Sequence, residues 1–513
     1  MQKIAAIDAG SNAIRMIVGN VNEAWQVEPI ENIRLPVRLG QDVFASGSLR
    51  EKTIQQATEA FLHFQRVAQD LGVEKTRAIA TSAMREAANS DILLDRISRT
   101  SGIEIEIING AEEARLIHLA VANVFSLKGK RAVLIDIGGG SVEVTISENE
   151  NIISTESYNM GTVRLLQKLD GDHESGSNPT DSKRPFSLLV REYAEAARRR
   201  IDREIGNARV NVCVGTGGTV EELGRMRQRF FKQPSEKLIT LSELQDLIEE
   251  LNGMSIKERI RKFKMRPDRA DVILPGAIVL QIIAREARVR QVAIPNVGLK
   301  DGLLLEMADE LKQGTTHAPR REQVWESALR LGRKYQFDAE HATLTAKLAK
   351  QLFDQTRPLH NLSDEDRLLL EVAALLHDIG HFINTIDHDK HGYYILKANR
   401  LIGLNEQQQE LVASLVRYHR KSFPSLDDLN FKALPQKDRM TVSKLSALVR
   451  LADGMDVSHT SHVTNAVLTE KKKSWQLSLQ GKGDLMLEKW ALDKRRVLFE
   501  EIFGVQLDIL DNK

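Results

Sequence analysis

The sequence predicts an α/β protein built on a duplicated domain, followed by an all-α domain and a small α+β C-terminal domain. Three observations carry this expectation. The segment Ile7-Asp8-Ala9-Gly10-Ser11-Asn12 is echoed by Ile135-Asp136-Ile137-Gly138-Gly139-Gly140-Ser141. Both copies follow apolar runs, place an aspartate at the end of the run, and return in alternating apolar residues (Ile14, Met16, Val18; Val142, Val144, Ile146). This is the pattern of one β-hairpin used twice. Strand-like and helix-like segments also alternate between and after the two copies, as α/β domains require. Residues 322–460, by contrast, are helical in pattern and hold most of the histidines.

The 513 residues exceed one ordinary core, and domains of about 100–200 residues are expected. The first α/β domain is placed at 1–125. It contains the first hairpin, a helical period over 51–71, a strand at Arg77-Ala78-Ile79-Ala80 and a helix from Ala111 to Phe125. The second is placed at 126–305. After the second hairpin, Asp170 to Lys183 reads as a long polar loop, and Val210-Asn211-Val212-Cys213-Val214 as a strand entering the turn Gly215-Thr216-Gly217-Gly218-Thr219. Gln313 to Pro319 has the composition of a linker into a helical domain at 315–460. Alternation returns in Ser474-Trp475-Gln476-Leu477-Ser478-Leu479, within an α+β segment at 461–513.

With 42% hydrophobic and 28% charged residues, and no apolar run of spanning length, no membrane span is expected. The start Met1-Gln2-Lys3-Ile4 lacks the pattern of a signal peptide, so a cytoplasmic location is expected. The single cysteine, Cys213, reads as a core strand residue. A net charge of +1 argues against a chain basic throughout, and no nucleic-acid partner is expected. Local basic clusters exist at Arg198-Arg199-Arg200 and at Arg261, Lys262, Lys264, Arg266 and Arg269. They read either as a phosphate path or as solvated helix faces.

Phosphoryl transfer needs backbone donors for anionic oxygens, carboxylates for Mg²⁺, and a group that orients the nucleophile. Three turns offer the donors: Gly10-Ser11-Asn12, Gly138-Gly139-Gly140-Ser141 and Gly215-Thr216-Gly217-Gly218. Asp8 and Asp136 lie at strand ends beside two of these turns. Glu143 returns on the strand after Asp136, so that Asp136 and Glu143 are placed to share one metal ion.

Asp136-Ile-Gly-Gly-Gly-Ser-Val-Glu143, Asn109-Gly-Ala-Glu-Glu-Ala-Arg-Leu116 and Ile7-Asp-Ala-Gly-Ser-Asn12 resemble the exopolyphosphatase and guanosine-pentaphosphate phosphohydrolase family. Thr81-Ser-Ala-Met-Arg-Glu-Ala87, Gly215-Thr-Gly-Gly-Thr219, Arg269-Ala-Asp271 and Tyr418-His-Arg-Lys421 extend the resemblance over nearly the whole chain. The resemblance implies duplicated actin-like (RNase H-like) domains, Mg²⁺ as cofactor, and a homodimer. It also implies Glu113 as general base, Asp136 and Glu143 as metal ligands, and Arg85 as a phosphate contact. A glutamate ionised at neutral pH suits the base role. Glu112 reads instead as a first-turn residue favoured by the helix dipole, a reading open to Glu113 too. One departure stands out: the family's Gly-Leu-Arg-Glu-Gly is Gly298-Leu299-Lys300-Asp301-Gly302 here, keeping the charges but not the bidentate geometry.

The helical half carries His341, His377-Asp378, His391, His419 and Asp453, which looks like the metal site of an HD domain. The adjacent His-Asp pair, with His341 and Asp453, is suited to one divalent cation, and His391 and His419 to a second. A phosphohydrolase centre acting on a nucleotide phosphodiester or pyrophosphate would follow. His377-Asp-Ile-Gly-His381 mimics a zinc-protease motif, but Asp shortens the base and Gly380 weakens the helix, so that reading is rejected. The function expected is hydrolysis of terminal orthophosphate from inorganic polyphosphate. The alternatives are hydrolysis of the 5′-γ-phosphate of guanosine pentaphosphate (pppGpp), transfer of phosphate to an acceptor by an actin-like kinase, and an alarmone-binding sensor without turnover.

Overall fold

The computed structural model describes residues 2–170, 186–313, 318–471 and 474–510. The expected polar loop after Asp170 and most of the expected linker at 313–319 lie outside them. The chain forms two compact units, Met1–His317 and Ala318–Lys513.

The first unit holds two sheets. In the first are β1 (Gln2–Ala9), β2 (Ile14–Val21), β3 (Val27–Leu35), β4 (Lys75–Ala80) and β5 (Ile105–Ile107), in the order β3-β2-β1-β4-β5. In the second are β6 (Arg131–Ile137), β7 (Val142–Glu148), β8 (Asn151–Tyr158), β9 (Val212–Thr216), β10 (Leu238–Thr240) and β11 (Gln291–Ala293), in the order β10-β11-β9-β6-β7-β8. The antiparallel run β1-β2-β3 is repeated by β6-β7-β8, and parallel β4 flanks β1 as parallel β9 flanks β6. The duplication read from the twin hairpins is therefore a duplication of topology.

Its register carries the chemistry. Asp8 pairs with Arg15 across the first hairpin, and Asp136 pairs with Glu143 across the second. One backbone position thus holds a cation in the first copy and a carboxylate in the second.

Both central strands are buried on both faces, which is why their aspartates come only at the ends. Ala5, Ile7 and Ala9 pack with Phe61 and Phe64 of the helix Glu51–Asp70. Ile4 and Ala6 face the opposite way, into a cluster with Leu116, Ile117, Leu303 and Met307. Leu134 of β6 and Val214 of β9 enter this same cluster. The helices Gly110–Val124 and Leu299–Gln313 therefore share one core with both sheets. Their contact is close at Gly302, where an added Cβ would lie 1.9 Å from the Leu116 carbonyl oxygen. Gly302→Ala is expected to destabilise the first unit by about 1–3 kcal/mol or more through this overpacking. Gly298→Ala, which meets nothing within 4 Å, serves as the control. Urea midpoints that match between the two variants would contradict this packing.

In the second unit the helices Ala318–Lys334, Ala339–Gln355, Asp364–Leu376, His388–Ala398, Glu406–Tyr418 and Gln436–Gly454 precede a small sheet. That sheet comprises β12 (Val463–Glu470), β13 (Ser474–Gly481) and β14 (Gln506–Ile509), with the helix Met486–Phe503 between the last two. One hydrophobic cluster runs from Val324 through Leu376 and Leu448 to Leu477 and Leu507, so helices and sheet share a core. Among the described residues, no helix is long and apolar enough to cross a membrane.

Candidate active site

The cleft of the first unit is lined by the tips of the two equivalent hairpins, the turn after β9, and the starts of the helices Gly110–Val124 and Leu299–Gln313. The two hairpin turns meet: a Cβ on Gly139 would lie 3.3 Å from the Asn12 amide nitrogen and 3.0 Å from the Ser11 Cβ. Ser11 Oγ also lies 3.1 Å from Ser82 Oγ, and Asn12 Nδ2 donates to the Asp268 carbonyl at 3.1 Å. Gly10, Ser11, Asn12, Gly138, Gly139 and Ser141 all line the cleft.

Glu113 sits in the first turn of its helix. The Asn109 side chain caps that helix by accepting from the Glu112 amide at 3.0 Å. The two adjacent glutamates then diverge. Glu112 accepts from Arg115 Nε at 2.8 Å and Nη2 at 2.7 Å, and Arg115 pairs in turn with Glu306. Glu113 faces the cleft, and carboxylate oxygens of Glu113, Asp136 and Glu143 all lie within 4.8 Å of one another. Asp136 accepts from Thr216 Oγ1 at 2.6 Å, and Glu143 from Ser157 Oγ at 2.8 Å.

Burial pushes the Asp136 carboxyl up to about 6. Burial, reinforced by Asp136, pushes Glu143 up to about 7. Glu113 is held well above the carboxylate range by burial and by the charges of Glu143 and Asp136, and burial raises Asp8 as well. Arg85 donates to the Ile108 carbonyl at 2.6 Å and lies outside the cleft lining. Its charge opposes the upward shifts of Glu113 and Glu143.

Asp8 Oδ1, Glu113 Oε2 and Glu143 Oε2 are buried without a hydrogen-bond partner. Buried, unpaired carboxylate oxygens are costly, and a hard divalent cation with oxygen ligands relieves them. These residues therefore fit Mg²⁺. A carboxyl whose folded pKa is raised binds its proton more tightly in the folded state, so its ionisation costs stability. That cost is absent below the unfolded value near pH 4 and is complete once pH passes about 6 for Asp136 and about 7 for Glu143. Mg²⁺ is thus expected to raise Tm by more at pH 8 than at pH 5, and the difference should shrink in an Asp136→Asn/Glu143→Gln variant. Equal increments at both pH values in the wild type would contradict the reading.

Opposite the carboxylates lies a cationic wall that the sequence pattern did not single out as a site. A Cβ on Gly218 would lie 2.4 Å from Arg269 Nη2 and 2.7 Å from Arg15 Nη2. Both guanidinium groups therefore stand over the N-terminus of the helix Gly218–Phe230. Arg269 donates to Thr219 Oγ1 at 2.9 Å, and its buried Nε has no partner. Burial, with Arg15 and Arg34 nearby, lowers Arg269 to about 9. Clustered cations at a helix N-terminus form an anion site. Gly217, at φ 91°, turns the chain into that helix. Gly215 and Thr216 lie on β9 and outside the cleft lining, and Thr216 is engaged by Asp136. Gly140 likewise lies outside the lining; its carbonyl accepts from Arg164 Nε at 2.6 Å.

Of the basic clusters, only Arg269 lines the cleft. Arg198, Arg200 and Lys262 are paired with Glu195, Glu156 and Glu250 on helix and sheet surfaces. Lys300 lines the cleft, but its ammonium group is 3.0 Å from Asp301.

In the second unit, His341, His377, Asp378, His419 and Asp453 converge. His391 does not belong to this group. It lies three residues, about 4.5 Å, further along its helix than His388, the first residue of that helix, which is buried against His419. The close approach was signalled by Gly380, whose absent Cβ would fall 1.9 Å from the His388 carbonyl oxygen. His381 and His459 complete the surround, 3.5 Å and 3.9 Å from the Asp378 carboxylate.

Residues 17–311 match the Ppx/GppA phosphatase family, and residues 325–496 match Ppx/GppA phosphatase, domain III. Among curated proteins, a guanosine-5′-triphosphate,3′-diphosphate pyrophosphatase of Aliivibrio fischeri is 27% identical over 484 residues, 93% of this chain and 91% of that protein. One of the same description from Photobacterium profundum is 27% identical over 453 residues, 87% and 84% of the two chains. Among solved structures, an exopolyphosphatase from Cytophaga hutchinsonii superposes with a TM-score of 0.55 at 24% identity, covering 60% of this chain and 98% of its own.

Proposed function

The chain belongs to the Ppx/GppA phosphatase family, and from that premise we propose that its cleft hydrolyses the terminal phosphoanhydride bond of inorganic polyphosphate, with Glu113 as general base. The observation that carries the proposal is the disposition of charge. A buried, unpartnered Glu113 oxygen faces Asp136 and Glu143, while Arg15 and Arg269 stand over the helix N-terminus at Gly218.

The terminal phosphate is held by the amides of Gly10-Ser11-Asn12 and of Gly139 and Ser141, and the next phosphates extend to Gly217, Gly218, Arg15 and Arg269. Glu113 orients a water in line with the phosphorus and takes its proton. Asp136, Glu143 and Asp8 hold Mg²⁺, which when bound neutralises charge on the phosphate oxygens. The charge of Arg85 opposes part of the upward shift of Glu113 and Glu143. A buried ion network of Arg115 with Glu112 and Glu306 fixes the rotation of the helix and so aims Glu113 inward.

A second reading, hydrolysis of the 5′-γ-phosphate of pppGpp by the same residues, is favoured by the descriptions of the curated relatives. Orthophosphate release from polyphosphate, pppGpp and ATP, each with Mg²⁺, separates the two. Faster release from polyphosphate supports the first reading, faster release from pppGpp replaces it with the second, and no release from either overturns both. Catalysis belongs to segments 1–125 and 126–305 of a cytoplasmic homodimer. Segment 315–460 holds a divalent-cation centre with His341, His377, Asp378 and Asp453 as ligands, and 461–513 is a structural appendage.

A further inference from the structure

The second sheet borders another cavity, at the end remote from the cleft. β9 runs from Val212 to Thr216. Thr216 holds Asp136 at the cleft, while Val212 lines the second cavity, which measures about 910 Å³. That is the upper part of the range of small-molecule sites, about 300–1,000 Å³. Its floor is apolar. Phe125, which ends the helix Gly110–Val124, lies there with Val212 and Ala293, all three half-buried against the core shared by both sheets. Lys130 stands over the Phe125 ring, 5.2 Å from its centroid, but lies outside the lining, so another part of the ring meets the cavity.

The rim is cationic. Arg209, Lys237, Arg288 and Arg290 line the cavity, and among the described residues no carboxylate does. Arg288 is a brace: its Nη1 donates to the Gly206 carbonyl at 2.9 Å and its Nη2 to Asp202 Oδ1 at 2.6 Å. Its backbone has φ 54°, directly after the C-cap Ala287 of the helix Ile273–Glu286, a position that helices usually give to glycine. An arginine held there by its side chain ties the end of the helix Phe186–Ile205 to the segment before β11. Asn211 is anchored too, since its Oδ1 accepts from the Arg131 amide and its own amide donates to the Arg131 carbonyl, both at 2.8 Å. Arg209 lies on the short segment between these anchors. The side chains of Arg209, Lys237 and Arg290 have no hydrogen bond or ion pair among the described residues. Three unpaired cations around one cavity repel each other and attract an anion.

We propose that this cavity is a nucleotide-binding site separate from the cleft, with the phosphates on Arg209, Lys237 and Arg290 and the base on Phe125. The cationic rim excludes a neutral ligand as the best fit, and the apolar floor excludes bare phosphate. Arginine meets phosphate with a planar fork of donors, and an aromatic ring meets a base by stacking or by its edge. The two sites also differ in what they require. The cleft presents buried carboxylates to its anion and is suited to a divalent cation, whereas the rim offers cations alone and takes phosphates directly. Binding at the rim therefore needs no metal, and it stands or falls independently of what the cleft hydrolyses.

The test is equilibrium dialysis of the full-length protein against ATP in EDTA, which removes divalent cations and with them turnover. About one ATP per chain is expected. Arg209→Ala and Arg290→Ala should each weaken binding about 10–150-fold, the effect of losing a hydrogen bond to a charged group. Phe125→Leu, which keeps the apolar packing without the ring, should weaken it about 2–10-fold, and Arg269→Ala in the cleft should leave it unchanged. Tripolyphosphate and adenosine should each bind at least tenfold more weakly than ATP. No retention of ATP, retention undiminished in Arg209→Ala and Arg290→Ala, or loss in Arg269→Ala alone overturns the site. Tripolyphosphate binding as tightly as ATP, or Phe125→Leu binding ATP unchanged, overturns the nucleotide assignment. Both arginines are exposed, and urea midpoints equal to that of the wild type show that a loss reflects the missing charge; if one variant unfolds, the other decides.

Discussion

Replacing Glu113 by glutamine is expected to lower kcat for orthophosphate release about 10²–10⁴-fold, the range for removing a positioned general base, with KM changed only a few-fold. Glutamine preserves the size of the side chain and its place in the capped first turn, but it cannot accept a proton. Because burial together with Glu143 and Asp136 raises the Glu113 carboxyl, the substitution also removes a charge the cluster resists. The variant is therefore expected to be at least as stable as the wild type without Mg²⁺. Reduced turnover with undiminished stability separates loss of the base from damage to the fold. Steady-state kinetics with a urea titration reads both quantities, and a Glu113→Gln protein with kcat near that of the wild type would remove Glu113 from the mechanism.

Arg269→Ala is expected to lower kcat/KM about 10–150-fold, corresponding to about 1.5–3 kcal/mol for a hydrogen bond to a charged group. Arg269 bonds Thr219, and its Nε is buried and unpartnered, so its remaining donors await an anion. Arg15 stands beside it over Gly218, and Arg15→Ala should act in the same direction. The two effects are expected to be non-additive, since the guanidinium groups face one phosphate region. Arg269→Lys should recover only part of the loss, because an ammonium group restores the charge without the planar fork. Kinetics on the single and double variants measures the coupling, and an Arg269→Ala enzyme with unaltered kcat/KM would place the phosphates elsewhere.

Much of this arrangement is legible in the chain because the duplication is written twice at the tightest points of the fold. A strand buried on both faces has to be apolar, so the polar residues at its end stand out, and Asp8 and Asp136 are found at once. What a linear pattern does not show is register. Arg15 looks like an ordinary strand residue until β1 and β2 are paired, when it takes the place that Glu143 takes in the second hairpin. Arg269 sits in a basic stretch whose other members are solvated or paired, and only the fold of the helix Pro267–Ala270 against Gly218 separates it from them. Arg85 was expected at the phosphate; its guanidinium donates to the Ile108 carbonyl, and its charge acts on Glu113 and Glu143.

The exchange of His391 for His388 has the same origin. Both histidines lie on one helix at a spacing that keeps them on similar faces. What decides between them is how far the chain advances after the short turn Ile379–Phe382, and composition does not record that distance. Gly380 and Gly392 mark the close approach in the sequence.

The central claim, attack of water on the terminal phosphorus within the cleft, is tested most directly by turning over polyphosphate with Mg²⁺ in ¹⁸O-labelled water and analysing both products by mass spectrometry. One solvent oxygen in each released orthophosphate, none in the shortened chain, and no label above background with Glu113→Gln are the predicted results. Label in the shortened chain, unlabelled orthophosphate, or equal labelling by the variant would contradict the account.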